Sequence, residues 1–226
     1  MADNQSPEMF GQTPSQTVGP FFHYALPWKG GADLIGRSAL GARTELFPAD
    51  HDVLNVSPPH GPVAGETIEV RGQVFDGDGA PVPDALIEIW QANAAGRYAH
   101  DADRHPAPLD PAFSGGGRCL TDDEGRYRFV TVKPGAYPWG NHANAWRPSH
   151  VHLSLLGPAF ATRLVTQFYF PDDPLIAIDP IACAVPAAAR DRLVARFDLA
   201  TTEPNWALGY LFDVVLRGRD ATPMEP

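Results

Sequence analysis

Proline and glycine interrupt this chain 24 and 21 times in 226 residues, so often that a long helix has little room to form. Proline removes a backbone donor and clashes inside a helix, and glycine weakens helix interiors, whereas both suit turns between short strands. Between these breaks the side chains alternate. "ETIEVRGQVFD" places Ile68, Val70, Gly72 and Val74 on one face, then stops at the turn-forming "GDGAPVPD". "DALIEIWQA" repeats the alternation through Leu86 and Ile87 to Trp90, and "GRCLTDDEGRYRFVTV" reads as two strands around the acidic turn "DDEG". "SHVHLSLLG" and "TRLVTQFYF" read as a further pair, and "GYLFDVVLRG" as a terminal strand. One stretch departs: "PAAARDRLVARFD", Pro186 to Asp198, opens on proline, is rich in alanine and spaces Leu193, Val194 and Phe197 at helical intervals, which predicts one short helix. The expected fold is all-β, a two-layer β-sandwich with long loops and one short helix. Residues 1–64 form an irregular arm and connection within the same domain, available for contacts between subunits, and 65–226 form the sandwich core.

Charge and cysteine use narrow the partners. Seventeen basic against 27 acidic residues give a formal net charge of −10, with no basic cluster to offset it, which argues against nucleic acid and anionic membrane. The opening "MADNQSPEMFGQTPSQTVGP" has no basic segment followed by an apolar run, so neither a signal peptide nor a membrane anchor is expected and the location expected is cytoplasmic. Cys119 and Cys183 stand far apart without a CxxC partner, which leaves two reduced thiols rather than a disulfide or thiolate metal site.

Chemistry concentrates in "YPWGNHANAWRPSHVH", Tyr137 to His152. Residues two apart on a strand share a face, so His150 and His152 project side by side, while Val151, Leu153 and Leu155 mark the opposite face as apolar. Taken alone, two histidines on a strand are more often surface or satisfied core than ligands. Proline and tryptophan stiffen the loop before them, which makes Tyr137 a candidate third ligand. A phenolate is a hard oxygen donor suited to a trivalent ion, so two histidines with tyrosine favour Fe(III) over zinc. The alternative for Tyr137 is a core aromatic with a hydrogen-bonded hydroxyl.

The stretches "GETIEVRGQVFDGDGAPVPDALIEIWQANAAGRYAH", "PLDPAFSGGGRCLTDDEGRYRFVTVKPGAYPWGNHANAWRPSHVHLSLLGPAFATRLVTQFYF" and "LFDVVLRGRDAT" resemble the intradiol ring-cleaving dioxygenases. In particular they resemble the catalytic β-type subunit of the protocatechuate 3,4-dioxygenase branch, over roughly the last two-thirds of the chain. The resemblance implies a non-haem Fe(III) held by Tyr98 of "QANAAGRY", Tyr137 of "AYPW", and His150 and His152 of "RPSHVH", with Tyr98 and His152 equatorial and Tyr137 and His150 axial. It implies a catechol substrate that binds through both oxygens as Tyr137 leaves the metal and takes up a proton, attack of O2 on the ring, and a cis,cis-muconate product. Arg147 of "WRP" would stabilise negative charge on the ring during turnover; the alternative is an arginine stacked on Trp146. Trp139, Gln167 and Tyr169 match positions that line the pocket or support it.

Two departures from the family pattern stand out. Gly140 follows Trp139 where β-type relatives tend to carry arginine, so one source of positive charge for a substrate carboxylate is absent. "TPSQTVGPFFHYAL", Thr13 to Leu26, resembles instead the start of the non-catalytic α-type subunit, whose matching threonine and glycine, here Thr17 and Gly19, lie near a neighbouring active site. The resemblance therefore implies a homo-oligomer in which this segment helps close a pocket, or a hetero-oligomer with an α-type subunit. The leading expectation is cleavage of protocatechuate in aromatic catabolism; the rivals are another substituted catechol and a non-catalytic assembly subunit.

Overall fold

The computed structural model describes residues 13–22, 63–113, 115–140, 143–157 and 163–216. The stretch 48–62 of the expected connection and positions 217–218 of the expected last strand lie outside them. Among the described residues eleven strands are formed: β1 (Thr67–Phe75), β2 (Leu86–Trp90), β3 (Gly116–Leu120), β4 (Arg126–Val132), β5 (Tyr137–Pro138), β6 (Trp146–Arg147), β7 (His150–Leu156), β8 (Arg163–Tyr169), β9 (Arg196–Phe197), β10 (Leu208–Leu211) and β11 (Val214–Val215). They make two main sheets, one in the order β3-β2-β7-β8 and one in which β1 pairs with β4 on one side and with β10 and β11 on the other, with β9 outside β10. A two-stranded ribbon of β5 and β6 stands apart.

The strands fall where alternation predicts them, and β2–β3, β5–β6 and β7–β8 pair in chain order, but other sequence neighbours do not pair. β3 and β4 flank the "DDEG" turn and sit in different sheets, as do β1 and β2, so these turns carry the chain across the sandwich rather than into hairpins. The terminal strand is split. β10 runs parallel to β1 from Leu208 to Leu211 and β11 resumes at Val214, and between them Asp213 turns its carboxylate to accept the Gln73 amide at 2.9 Å.

Ile68, Val70 and Val74 of β1 meet Ile87, Ile89, Leu153, Leu155 and Phe168 of the facing sheet, all fully buried in one core. Each such side chain contributes about 1.5–3 kcal/mol by leaving water. Period-2 geometry puts the neighbours of these residues on the outer face of the β3-β2-β7-β8 sheet, where Trp90 pairs with His152, His152 with Gln167 and His150 with Tyr169.

The helix expected over Pro186 to Asp198 is realised only in its first turn, α2 (Ala187–Arg190). A 3-10 turn follows at Asp191–Leu193, and the chain then extends into β9. Sheet pairing overrides propensity: the Ala195 amide donates to the Tyr169 carbonyl at 2.9 Å, and Phe197 pairs with Tyr210. A second single turn, α1 (Pro180–Cys183), is capped by Asp179, whose carboxylate accepts the Ala182 amide. Among the described residues no helix is long and apolar enough to cross a membrane.

Candidate metal centre

Three separate pieces of backbone bring Tyr98, Tyr137, His150 and His152 together. Tyr98 follows a tight loop in which the Asn93 side chain accepts the amides of Ala95 and Arg97, both at 2.9 Å. Gly96 permits that loop: its φ is +78°, and a Cβ there would lie 2.3 Å from the Ala136 carbonyl oxygen. Beyond the loop, Asp103 accepts the Tyr98 amide at 2.8 Å, and Arg97 donates to the carbonyls of Asp103, His105 and Ala107. Tyr137 is set by the β5–β6 ribbon, directly opposite Arg147. The histidines stand on β7, which is tied at its start by Ser149, whose hydroxyl donates to the Pro134 carbonyl at 2.6 Å.

The side chains converge. The Nε2 atoms of His150 and His152 are 3.2 Å apart, and the Tyr137 hydroxyl lies 3.4 Å from His150 Nε2. The Tyr98 and Tyr137 rings meet edge to face at 5.4 Å. All four residues are buried, and the Tyr98 hydroxyl has no hydrogen-bond partner of normal geometry. His150 Nδ1 lies 2.7 Å from the Pro148 carbonyl, which fixes that nitrogen as the donor and leaves Nε2 as a lone pair aimed at His152. Burial first, then the Arg147 charge, hold His150 well below the usual histidine range and His152 at about 3, so both rings are neutral. Burial and the neighbouring Tyr137 push the Tyr98 phenol well above its ordinary value, and burial raises Tyr137 against the opposing pull of Arg147. Two imidazole lone pairs and two phenol oxygens, one of them orphaned, form a donor set that a highly charged cation would satisfy by displacing the phenol protons. Among the described residues no cluster of three His, Cys, Asp or Glu offers another such site.

A cavity of about 730 Å³ opens beside these groups, lined among others by Thr17, Gly19, Tyr137, Trp139, Gly140 and Arg147. Thr17 and Gly19 thus lie at the pocket of their own chain. Gly19, at φ +72°, is so close over His152 that a Cβ would lie 3.3 Å from its ring. Phe21 packs on Tyr98 at 4.6 Å, and Phe22 on Trp90 at 4.7 Å, which in turn stacks on His152 at 4.9 Å. Gln167 and Tyr169 lie behind Arg147, fully buried, and are not among the cavity-lining residues. Arg147 itself sits 5.8 Å from the centre of the Trp139 ring, while Trp146 is 40% exposed.

Sequence reasoning passed over Asp179, Gln16, Phe21, Phe22 and the stacking of Trp90. The "DP" of Asp179 and Pro180 is a helix-start signal that was there to be read. Nothing in the sequence announces that the same carboxylate meets Arg147, as it does at 3.1 Å.

Comparison with known proteins bears on the family and the fold. Residues 42–218 match the family model described as Dioxygenase. The chain is 64% identical over 181 residues to the protocatechuate 3,4-dioxygenase beta chain of Burkholderia cepacia, covering 80% of this chain and 77% of that one. It is 36% identical over 219 residues to the alpha chain from the same organism, covering 93% and 95%. Among solved structures, the 3-chlorocatechol 1,2-dioxygenase of Rhodococcus opacus matches with a TM-score of 0.62 at 24% identity, over 91% of this chain and 72% of that one. The intradiol ring-cleavage dioxygenase of Tetranychus urticae matches with a TM-score of 0.64 at 15% identity, over 96% and 98%. The structural likenesses bear on the fold, a β-sandwich as the alternation predicts.

Proposed function

The chain belongs to the intradiol ring-cleaving dioxygenases, and from that premise we propose that it cleaves protocatechuate with O2 to 3-carboxy-cis,cis-muconate. The bond between the two hydroxylated carbons breaks, and the two oxygen atoms of O2 end in the two new carboxyl groups. The observation that carries this reading is the convergence of Tyr98, Tyr137, His150 and His152 at a cavity that Arg147 also lines.

Those four residues would hold a non-haem Fe(III), which when bound supplies the redox-active centre that makes a catecholate reactive toward O2. The chain's own groups prepare the rest. His150 and His152, neutral by burial, offer lone pairs without first losing protons. Tyr137 Oη is the proton acceptor for a catechol hydroxyl, because burial favours its protonated form whenever no cation holds it. Arg147 presents fixed positive charge to an anionic ring, and needs no reorganisation during the reaction because its partners already orient it. Phe21, Phe22 and Trp139 make the surroundings apolar, which strengthens these electrostatic effects.

Arg104 supports the carboxylated substrate. It lines the same cavity, is exposed, and makes no hydrogen bond or ion pair among the described residues, so its guanidinium is available to a carboxylate. The open space at Gly140, with no atom within 4 Å of a Cβ placed there, favours a second reading, in which a bulkier substituted catechol is also accepted. The names of the two relatives, beta and alpha chains of one dioxygenase, support assembly with further copies of this chain or with an α-type subunit.

The test is the visible spectrum of the iron-loaded protein before and after protocatechuate is added without oxygen, followed by product identification in air. A tyrosinate-to-Fe(III) charge-transfer band that shifts on addition, and a ring-opened tricarboxylate product, are expected. A protein that stays colourless after ferric loading would remove the four-ligand reading.

A further inference from the structure

Arg147 is almost fully buried, and its guanidinium is gripped on two sides. Nε makes an ion pair with Asp179 Oδ1 at 3.1 Å, and Nη2 donates to Gln167 Oε1 at 3.0 Å and to the Tyr169 hydroxyl at 3.5 Å. No hydrogen bond among the described residues holds Nη1, although Arg147 lines the cavity. The gripping residues are themselves tied together. The Tyr169 hydroxyl lies 3.3 Å from Asp179 Oδ2, which also caps α1 through the Ala182 amide at 3.1 Å. Gln167 Nε2 and the Tyr169 hydroxyl both reach Gln16 Oε1, at 3.0 and 3.2 Å.

Gln16 comes from the N-terminal arm. That arm is fixed along β8 by the Gln16 amide on the Val165 carbonyl at 2.9 Å and by Thr166 Oγ1 on the Pro14 carbonyl at 2.7 Å. The bracket therefore has a charged member, Asp179 at the start of α1, and a neutral key, Gln16, carried by the segment that also places Thr17 and Gly19 on the cavity wall.

We propose that Asp179 and Gln16 are positioning residues that set the orientation of Arg147, so that docking of the arm on its own chain completes the electrostatics of the pocket. Asp179 acts because it is fully buried and is the acid paired with Arg147: an arginine in such a place keeps one geometry only when its charge is opposed and its guanidinium is held from more than one side. Gln16 acts one step further out, by accepting from Gln167 Nε2 and from the Tyr169 hydroxyl, which turns Gln167 Oε1 and a lone pair of the Tyr169 oxygen toward the guanidinium. The proposal rests on the dioxygenase reading for its effect on turnover and on geometry alone for the bracket.

The experiment is a double-mutant cycle on the full chain, iron-loaded, with Asp179→Asn and Gln16→Ala each made in the wild-type and Arg147→Ala backgrounds. Asparagine retains an oxygen for the α1 cap, so the change removes charge with little change of shape. With Arg147 present, Asp179→Asn is expected to lower kcat by roughly tenfold to a hundredfold, the cost of slight misplacement of a charged group. KM should move by less than about threefold and iron content should be unchanged, because the loss falls on the transition state. Gln16→Ala should lower kcat by about threefold to fivefold, the scale of one hydrogen bond. In the Arg147→Ala background both should leave residual kcat unchanged.

Melting temperature gives a readout independent of turnover. Asp179→Asn should lower Tm in the wild type, where it strands a buried guanidinium, and raise it in Arg147→Ala, where it removes a stranded carboxylate. Equal kcat losses in both backgrounds, or a Tm change of the same sign in both, would overturn the bracket. A wild-type protein that opens no catechol would overturn the functional reading instead, and the Tm sign would still decide the bracket.

Discussion

The two faces of the β3-β2-β7-β8 sheet carry the same backbone and opposite chemistry. Inward, Ile87, Ile89, Val151, Leu153, Leu155 and Phe168 are fully buried against β1 and its neighbours, and any of them does the same work as the next. Outward, Trp90, His150, His152, Gln167 and Tyr169 are also almost fully buried, yet they are covered by the arm, the β5–β6 ribbon and α1 rather than by a second sheet. Burial alone does not distinguish a core from a site. The difference is that the inward side chains carry no polar atoms, whereas among the described residues the outer face and the loops over it keep Tyr98 Oη, Trp90 Nε1 and Trp139 Nε1 without hydrogen-bond partners of normal geometry. Buried polar atoms without partners cost stability, and a protein retains them where something else uses them.

Substitutions on the two faces should accordingly fail in different ways. His152→Ala on the outer face is expected to abolish both iron retention and turnover. Losing an outer partner of a metal ligand already costs about 10–100-fold in affinity, and this change removes one of the four proposed ligands. Iron analysis of the purified variant, alongside far-UV circular dichroism to show a retained fold, checks it. Leu153→Ala, on the adjacent residue of the same strand, should reverse the pattern. It should cost about 2–5 kcal/mol of stability by denaturant unfolding while the folded fraction still binds iron.

Acid sharpens the comparison. His150 and His152 have folded pKa values depressed below the histidine norm by burial, so the unfolded chain binds more protons than the folded one once pH drops below about 6.5. Their contribution to stability is therefore present above that pH and is lost on acidification toward about 3, where His152 itself titrates. In the metal-free protein the ring-proton NMR shifts of both residues should stay flat from pH 8 to about 5, where unperturbed imidazoles titrate near 6.5. A midpoint near 6.5 for either ring would show that it is solvated. A smaller effect than at either face is expected at the rim. Arg104→Gln should raise KM for protocatechuate about fivefold to tenfold, the scale of one exposed charge-assisted contact, and leave unsubstituted catechol unchanged. Equal shifts for both substrates would place the carboxylate elsewhere.

Much of this was legible in residue order. Alternation located β1, β2, β7 and β8 because one side of each packs against the core, and His150 and His152 were legible as a pair because strand periodicity is local. The pairing of β7 with β8 was legible, but the crossings between sheets were not: β3 and β4 are neighbours in sequence and lie in different sheets, and the extended course of 194–197 is imposed by contacts with Tyr169 and Tyr210. The α-type resemblance of the arm singled out Thr17 and Gly19 as residues near a pocket but left open whether that pocket belongs to the same chain or to a neighbour. In the single chain Pro14 and Gln16 bond to β8 on the site face, and this lays both residues on the cavity wall.

By itself the sequence determined what depends on neighbours in the chain: short strands between proline and glycine turns, one apolar face on each strand, two histidines on one face of β7, and family motifs carrying four metal-ligand candidates. Tertiary structure alone decided which distant groups meet. Asp179 opposes Arg147 across 32 positions, and Gln16 reaches Gln167 across 151, because the sandwich stacks α1, β8 and the arm against one another. Side-chain alternation is fixed by the geometry of two adjacent peptide units, whereas such a meeting depends on how every intervening element packs.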